Sequence, residues 1–384
     1  MRPETIMLSD ASEKNVVQRT MTAAAPRFFR FILGPFMFAV VMLGSLGLVE
    51  VGLRALAPQS IVPRYVEASA YGIRKNIAHV RGAMQTSDFQ HAFATNSQGF
   101  RGSREYSIEK PSGVLRVIVL GDSVTLGHGV SDNETFSSVA ERALSRRRTV
   151  EVINMGVSGF GTAEELIQLK EIGFGYHPDL VVLAYFPNDP YNNMVSQLFS
   201  VEDGRLVRAK ESFTPALFVR DHLSEIPGYS FLCQHSHVVN FIRARLSAFF
   251  MDRLGRQNQT STEIRSDLTP GERMLTEALL QEVYRVTWAE RRVPLIVLNI
   301  PVVLGGRLIQ NFPSQGLGRE SEAVEVIDIA QTVYRGLGMD DLSYRHDSHP
   351  KPMAHELIGE ELARVIERHF ERLAIRNQAG AAGV

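Results

Sequence analysis

Two side chains capable of acyl chemistry stand far apart in this chain, and each sits where an apolar run stops. Val117-Ile118-Val119-Leu120 halts at Gly121-Asp122-Ser123. A hydroxyl on such a turn is exposed, and neighbouring backbone N–H groups can point at an incoming acyl oxygen. The competing reading of Asp122 and Ser123 is a plain turn or helix cap. Near the other end, Asp347-Ser348-His349-Pro350 precedes a helical pattern. In an extended segment the side chains of residues 347 and 349 point the same way. The carboxylate can then hold the Nδ1–H of the imidazole and leave Nε2 as a base. The competing reading is a surface pair beside a helix start.

The elements that must position these groups follow from apolar periodicity. A strand leads into Ser123, and Phe136, Val139, Ala140 and Leu144 mark a helix behind it. Val150-Glu151-Val152-Ile153-Asn154 is a second strand, feeding a loop with Gly156, Gly159 and Gly161. Thr162 and Glu165 have capping-box spacing, so a helix starts there. A third strand, 179–186, stops at Pro187-Asn188-Asp189-Pro190; 293–300 and 324–329 supply two more. Strands alternating with helices over short connections imply a parallel sheet with right-handed crossovers. Ser123, Gly159 and Asn188 then leave the carboxyl ends of three strands, on the rim where such sheets place reactive groups.

Other ligand classes find little support. The glycines are spaced G-x-x-G-x-G, and Asn188 stands where a ribose-binding acid would follow, which argues against a dinucleotide. No Gly-Lys-Ser/Thr occurs, so no phosphate-gripping P-loop is present. His235-Ser236-His237 lacks a third ligand at recognisable spacing and reads as a solvated pair. The formal net charge of −1 gives no basic excess for nucleic acid. Cys233 is the single cysteine, so neither an intramolecular disulfide nor a cysteine-based zinc site is available.

The amino terminus predicts an anchor. Phe31 to Val49 carries no charge, and nineteen helical residues span about 28 Å, close to the bilayer hydrocarbon thickness. Lys14, Arg19, Arg27 and Arg30 precede it, which places residues 1–30 as a cytoplasmic tail and the remainder outside the inner membrane. A cleaved signal peptide is the alternative; the long leader and the late Ala55-Leu56-Ala57 speak against it. The expected organisation is a transmembrane helix at 31–53, a linker and amino-terminal extension at 54–112, a three-layer α/β/α parallel-sheet domain at 113–375 with a helical insertion at 190–290, and a flexible tail at 376–384.

Within the extension, the turn-rich Asn96-Ser97-Gln98-Gly99-Phe100-Arg101-Gly102 should pack Phe100 under the sheet and pair Arg101 with a carboxylate. In the insertion, 238–254 sets Val239, Ile242, Leu246, Phe249 and Phe250 against arginines, 257–266 is a polar loop, and 270–291 is another helix. Those helices are expected to pack against the sheet edge, with a lid, a membrane contact or a partner helix as alternatives. The last helix covers about 352–373; His346, His355 and His369 read as surface or helix-packing residues.

Four of these blocks, in order over about 115–370, resemble the SGNH (GDSL-type) hydrolase superfamily: Gly121-Asp122-Ser123, Asn154 through Gly159, Asn188-Asp189, and Asp347-Ser348-His349-Pro350. The resemblance implies a serine esterase or acylhydrolase, acting on an acyl ester such as an acetyl ester. It implies Ser123 as nucleophile, His349 as base and Asp347 as its partner, with the Ser123 and Gly159 N–H groups and the Asn188 amide as oxyanion donors. It implies no metal and no organic cofactor, and activity lost in mild acid as His349 protonates. One residue separates Asp347 from His349 where the superfamily commonly has two, which leaves Asp340 and Asp341 as alternative partners. Pro187 stands where glycine commonly precedes Asn-Asp. An anchored domain also suits O-acyl transfer to envelope polysaccharide, with acylated polysaccharide or lipid as the partner, or a non-catalytic part in envelope assembly.

Overall fold

The computed structural model describes residues 11–215, 217–253, 264–313, 317 and 323–382. Its centre is a parallel sheet of β1 (Leu115–Leu120), β2 (Val150–Asn154), β3 (Leu180–Tyr185), β4 (Leu295–Asn299) and β5 (Val324–Asp328). The strand order is 2-1-3-4-5, with every neighbouring pair parallel. That order reverses direction between β1 and β3, which opens a crevice at their carboxyl ends.

Alternation within β1 divides two apolar layers. Val117 and Val119 face one core, Ile118 and Leu120 the other. Continuous β-branched runs are what a strand buried on both faces requires. Twelve helices are described: α1 (Ala11–Leu56), α2 (Ser123–Leu126), α3 (Phe136–Leu144), α4 (Thr162–Glu171), α5 (Asp189–Ser196), α6 (Leu217–Glu225), α7 (Tyr229–His235), α8 (His237–Arg253), α9 (Pro270–Tyr284), α10 (Ile329–Thr332), α11 (Met339–Leu342) and α12 (Pro352–Ala382). Phe136, Ala140 and Leu144 of α3 share a core with Ile358, Leu362 and Ile366 of α12 on one face. Leu166 and Leu169 of α4 share the other with Leu275, Leu279 and Val283 of α9. The architecture is therefore the expected α/β/α sandwich.

Several expectations change. The helix at 270–284 was assigned to the insertion, yet α9 is a layer of the sandwich; the excursion proper is a hairpin (199–202 with 205–208) and helices α6 to α8. Within the linker and extension expected at 54–112, 66–68 pairs with 74–76, and 81–85 with 90–94. The α4 cap is formed by Glu164, whose carboxylate accepts the Gly161 N–H at 3.2 Å. Glu165 is instead fully buried. α12 runs through Ala382, so the expected tail at 376–384 is helical to that residue. α1 likewise begins at Ala11, well before the span, while residues 1–10 of the expected tail and most of the polar loop at 257–266 lie outside the described residues. Phe31–Leu56 is long and apolar enough to cross a membrane, and none of its most apolar window is buried.

Candidate active site

The turn after β1 is tight by construction. Gly121 holds φ +157°, and a Cβ there would meet the Thr125 side chain at 2.0 Å. Asp122 caps α2, its Oδ1 accepting the Val124 N–H at 2.8 Å. Ser123 is thus the first residue of a short helix at the sheet rim, half-buried.

From the far end of the chain, His349 reaches this hydroxyl. Ser123 Oγ lies 2.7 Å from His349 Nε2. The other ring nitrogen, Nδ1, donates to Asp347 Oδ1 in a short contact, and the His349 backbone N–H donates to the same oxygen at 3.2 Å. A carboxylate only accepts, so Nδ1 carries the proton and Nε2 is left to accept from the serine hydroxyl. Asp340 and Asp341 sit exposed on α11; Asp347 is the acid on the imidazole.

His128 is a further histidine at this site, set between Gly127 and Gly129 with no spacing or motif that marks it. Its Nε2 lies 3.3 Å from the second oxygen of Asp347, and its ring stands 4.5 Å from that of His349. Burial opposes the charge on Asp347, but hydrogen bonds from His128 and His349 outweigh it and hold the carboxyl well below the usual range. Burial pushes the His128 imidazole down, against the pull of Asp347, so it stays neutral as a donor. Among the described residues, His128, Asp347 and His349 form the group whose ligand atoms lie within 4.8 Å of one another, the spacing a metal would need. The hydrogen bonds just given already engage those atoms.

The glycine loop after β2 is laced to the serine turn. Val157 N–H donates to Gly121 O at 3.0 Å, and Asn154 Nδ2 to Thr125 O at 2.6 Å. A side chain at Gly156 would strike the Leu126 nitrogen at 2.3 Å, so only glycine lets the loop approach α2. Gly159 holds φ +76°, and its carbonyl accepts from Arg74 at 2.5 Å. Asn192 Nδ2 donates to Phe160 O at 2.9 Å, joining this loop to the start of α5. Asn188 closes the ring: its Nδ2 donates to Asp122 Oδ2 at 2.9 Å. Behind these groups lie the fully buried Glu165 and Asp189. Burial, reinforced by Asp122 and Glu164 at Glu165 and by Glu165 and Asp122 at Asp189, pushes both carboxyls well up.

The amino-terminal extension braces the histidine loop. Asp88, at the tip of the 81–94 hairpin, accepts the backbone N–H of His346 at 2.7 Å and of Asp347 at 3.0 Å. Tyr344 donates its hydroxyl to Gly129 O at 2.7 Å, and His91 Nε2 accepts the Gly129 N–H at 3.2 Å. The Thr86-Ser87-Asp88 turn between two short runs was the available signal for that hairpin. Arg101 pairs with Asp132 at 2.7 Å and lies over the Phe93 ring, while Phe100 is buried in the α4–α9 core. His237, read as solvated, is buried. His346 is exposed and paired with Asp88; His355 and His369 are buried in helix packing.

Fold and site together define an α/β protein carrying a serine–histidine–aspartate chain of hydrogen bonds on the carboxyl rim of its sheet. No protein-family model matches the sequence, and no curated protein matches it. Among solved structures, the chain is similar to a protein described as lipolytic, of the G-D-S-L family, from Desulfitobacterium hafniense, at 12% identity and TM-score 0.34, covering 65% of this chain and 98% of that one. It is similar to a lipase/acylhydrolase from Enterococcus faecalis at 18% identity and TM-score 0.35, covering 66% and 95%. It is similar also to a psychrotrophic esterase from Pseudoalteromonas sp. at 12% identity and TM-score 0.36, covering 67% and 98%. At these scores the likenesses carry nothing further.

Proposed function

We propose that this chain is an SGNH-type serine hydrolase that cleaves an acyl ester, an acetyl ester foremost, on the outer side of the membrane crossed by Phe31–Leu56. The single observation behind this reading is the 2.7 Å approach of Ser123 Oγ to His349 Nε2, with Asp347 behind the ring. Ser123 Oγ attacks the ester carbonyl while Nε2 takes its proton. The carbonyl oxygen becomes an oxyanion, held by the Ser123 and Gly159 N–H groups and by the Asn188 N–H that Asp122 does not use. The leaving alcohol takes the proton back from His349; water then repeats the sequence and frees the acid. Asp347 stabilises the imidazolium, and His128 is a positioning residue that fixes the second oxygen of Asp347. The basic flank before the span supports a cytoplasmic amino terminus.

An acyl group held next to a membrane also suits transfer to a glycan hydroxyl, so acylated envelope polysaccharide is the proposed natural substrate class. Supplying sugar acceptors to the acyl-enzyme and measuring acyl sugar against free acid separates transfer from hydrolysis. The decisive experiment is labelling of the full chain with a fluorophosphonate. Wild type is expected to label and Ser123→Ala to remain unlabelled, with ester turnover lowered at least about 10³-fold. Persistent labelling of Ser123→Ala ends the assignment.

A further inference from the structure

The excursion helices meet the anchor at a defined place. Glu50 of α1 accepts the N–H groups of His237 and Val238, both at 2.9 Å, and the Ser236 hydroxyl at 2.9 Å. It therefore caps the amino end of α8 with a carboxylate, where the helix leaves its first donors unpaired. One turn on, Arg54 donates to the His235 carbonyl at 2.5 Å, at the carboxyl end of α7. The Gln59 N–H donates to His237 Nδ1 at 2.8 Å. The α7–α8 corner is thus fixed to the end of α1 by opposite helix ends, each matched in charge.

The depth of that corner follows from the span. Phe31–Leu56 holds 26 residues, about 39 Å of helix against a hydrocarbon core of about 30 Å. The charge-free stretch ends at Val49, so Glu50 and Arg54 fall at the headgroup level. From there α7 and α8 present Phe231 (63% exposed), Leu232 (47%), Ile242 (48%), Leu246 (50%) and Phe249 (51%). The last three recur one helical turn apart, beside the exposed Arg245. The packing against the sheet edge expected from sequence is therefore not made by this face.

We infer that α7 and α8 form an interfacial foot. Their apolar side chains enter the headgroup–acyl boundary of the bilayer that α1 crosses, and Arg245 lies toward lipid phosphates. The inference rests on α1 being a span. Its consequence is mechanical: the catalytic rim is held at a set orientation to the membrane instead of swinging on a tether.

The test uses the full chain in lipid nanodiscs, in a Cys233→Ser background that retains native circular dichroism. An environment-sensitive fluorophore is attached through Leu246→Cys on the foot, Phe38→Cys in the span, or Glu360→Cys on α12. Lipids carry a nitroxide quencher either near the headgroup or deep in the acyl chain. The expected result is a blue shift at position 246 with loss of emission to the shallow quencher, deep quenching at 38, and neither at 360. Quenching at 38 without quenching at 246 overturns the foot and leaves the span standing. Absence of quenching at both positions removes the span and the foot together. A blue shift at 246 that no lipid quencher touches, and that grows with protein density, assigns the face to a second copy and overturns the inference. As a readout without the label, Leu246→Glu with Phe249→Glu should increase hydrogen exchange of α8 only when nanodiscs are present; an equal increase in detergent overturns it too.

Discussion

The two rims of the sheet bury charge in opposite ways. At the amino rim, Arg116 of β1 is fully buried and its guanidinium meets Glu151 of β2 at 2.7 Å and the Tyr176 carbonyl at 2.7 Å. Its backbone N–H donates to Asp179 at 2.8 Å, and Asp179 also binds Lys110. At the carboxyl rim, Asp122, Glu165 and Asp189 are buried with like charges as neighbours, and burial raises all three carboxyls. A buried charge with an opposite partner is a structural device; buried acids pushed toward their protonated forms cost stability and persist where they hold something in place. Here Asp122 holds Asn188 and the first turn of α2.

That contrast can be broken at its strong end first. Arg116→Met leaves buried Glu151 with only the half-exposed Arg104, 3.5 Å away, as a counter-ion, and unfolding stability should fall by about 3 kcal/mol. Ester turnover per folded molecule should be unchanged, since the substitution lies at the far ends of the strands. Denaturant unfolding beside active-site titration checks both halves; a loss of turnover per labelled site would blur the distinction between the rims.

Asn188→Ala acts on the other rim. Removing one oxyanion donor should lower kcat about 10²–10³-fold, roughly 3–4 kcal/mol in the barrier. Steady-state kinetics with a short-chain ester measures it, and an unchanged kcat would remove Asn188 from the oxyanion set.

A smaller effect is expected at His128. His128→Phe keeps a ring against His349 but deletes the donor to Asp347, so kcat should fall about tenfold, the scale of a charge-assisted hydrogen bond of about 1.5 kcal/mol. KM should hold, because the bond matters most when His349 is charged. His128→Gln, which can still donate to Asp347, should recover most of the loss; equal loss in both variants would reduce His128 to packing.

The mildest test concerns acid stability. His355 accepts the Phe136 N–H at 3.2 Å, and burial, with the nearby His349 and Arg101 charges, pushes its imidazole down to about 3. An unfolded histidine titrates near 6.5. Between those values the unfolded chain binds a proton that the folded chain refuses, so this group lowers stability as pH falls, by about 1.4 kcal/mol per unit, and contributes no slope above about pH 6.5. His355→Gln should remove that slope, so the parent-minus-variant stability difference should fall by about 1.4 kcal/mol per unit as pH drops through that window. Identical pH slopes in both proteins would contradict the assignment.

Much of this arrangement was legible beforehand. The strands announced themselves because a parallel sheet covered on both faces demands uninterrupted apolar runs, as at 117–120 and 180–185. Ser123, Gly159, Asn188 and His349 could be singled out because each follows such a run or precedes a helix, and the structure brings Ser123 and His349 together. What escaped notice came from contacts that leave no local period. Asp88 grips a loop 258 residues away, and its hairpin strands are too short for a convincing alternation. His128 hid in a glycine-flanked turn, where a histidine gives no sign of facing another. Glu165 looked like a cap and proved to be a buried acid, because Glu164 took the capping position one residue earlier.

Amphipathic pattern alone could not say what covers an apolar stripe. The stripes of α8 and α9 look alike in sequence, yet α9 fills the sandwich while α8 leaves Ile242, Leu246 and Phe249 exposed. Hydrophobic periodicity encodes which residues leave water; it does not encode their partner, because burial free energy depends on area and hardly on direction. The strands and the turns that follow them were therefore written into the chain; their order in the sheet was not. The meeting of Asp347 with two imidazoles, the brace from Asp88 and the clamp of Glu50 on α8 came into being only when the backbone brought distant donors and acceptors within hydrogen-bond range, where the geometry is strict.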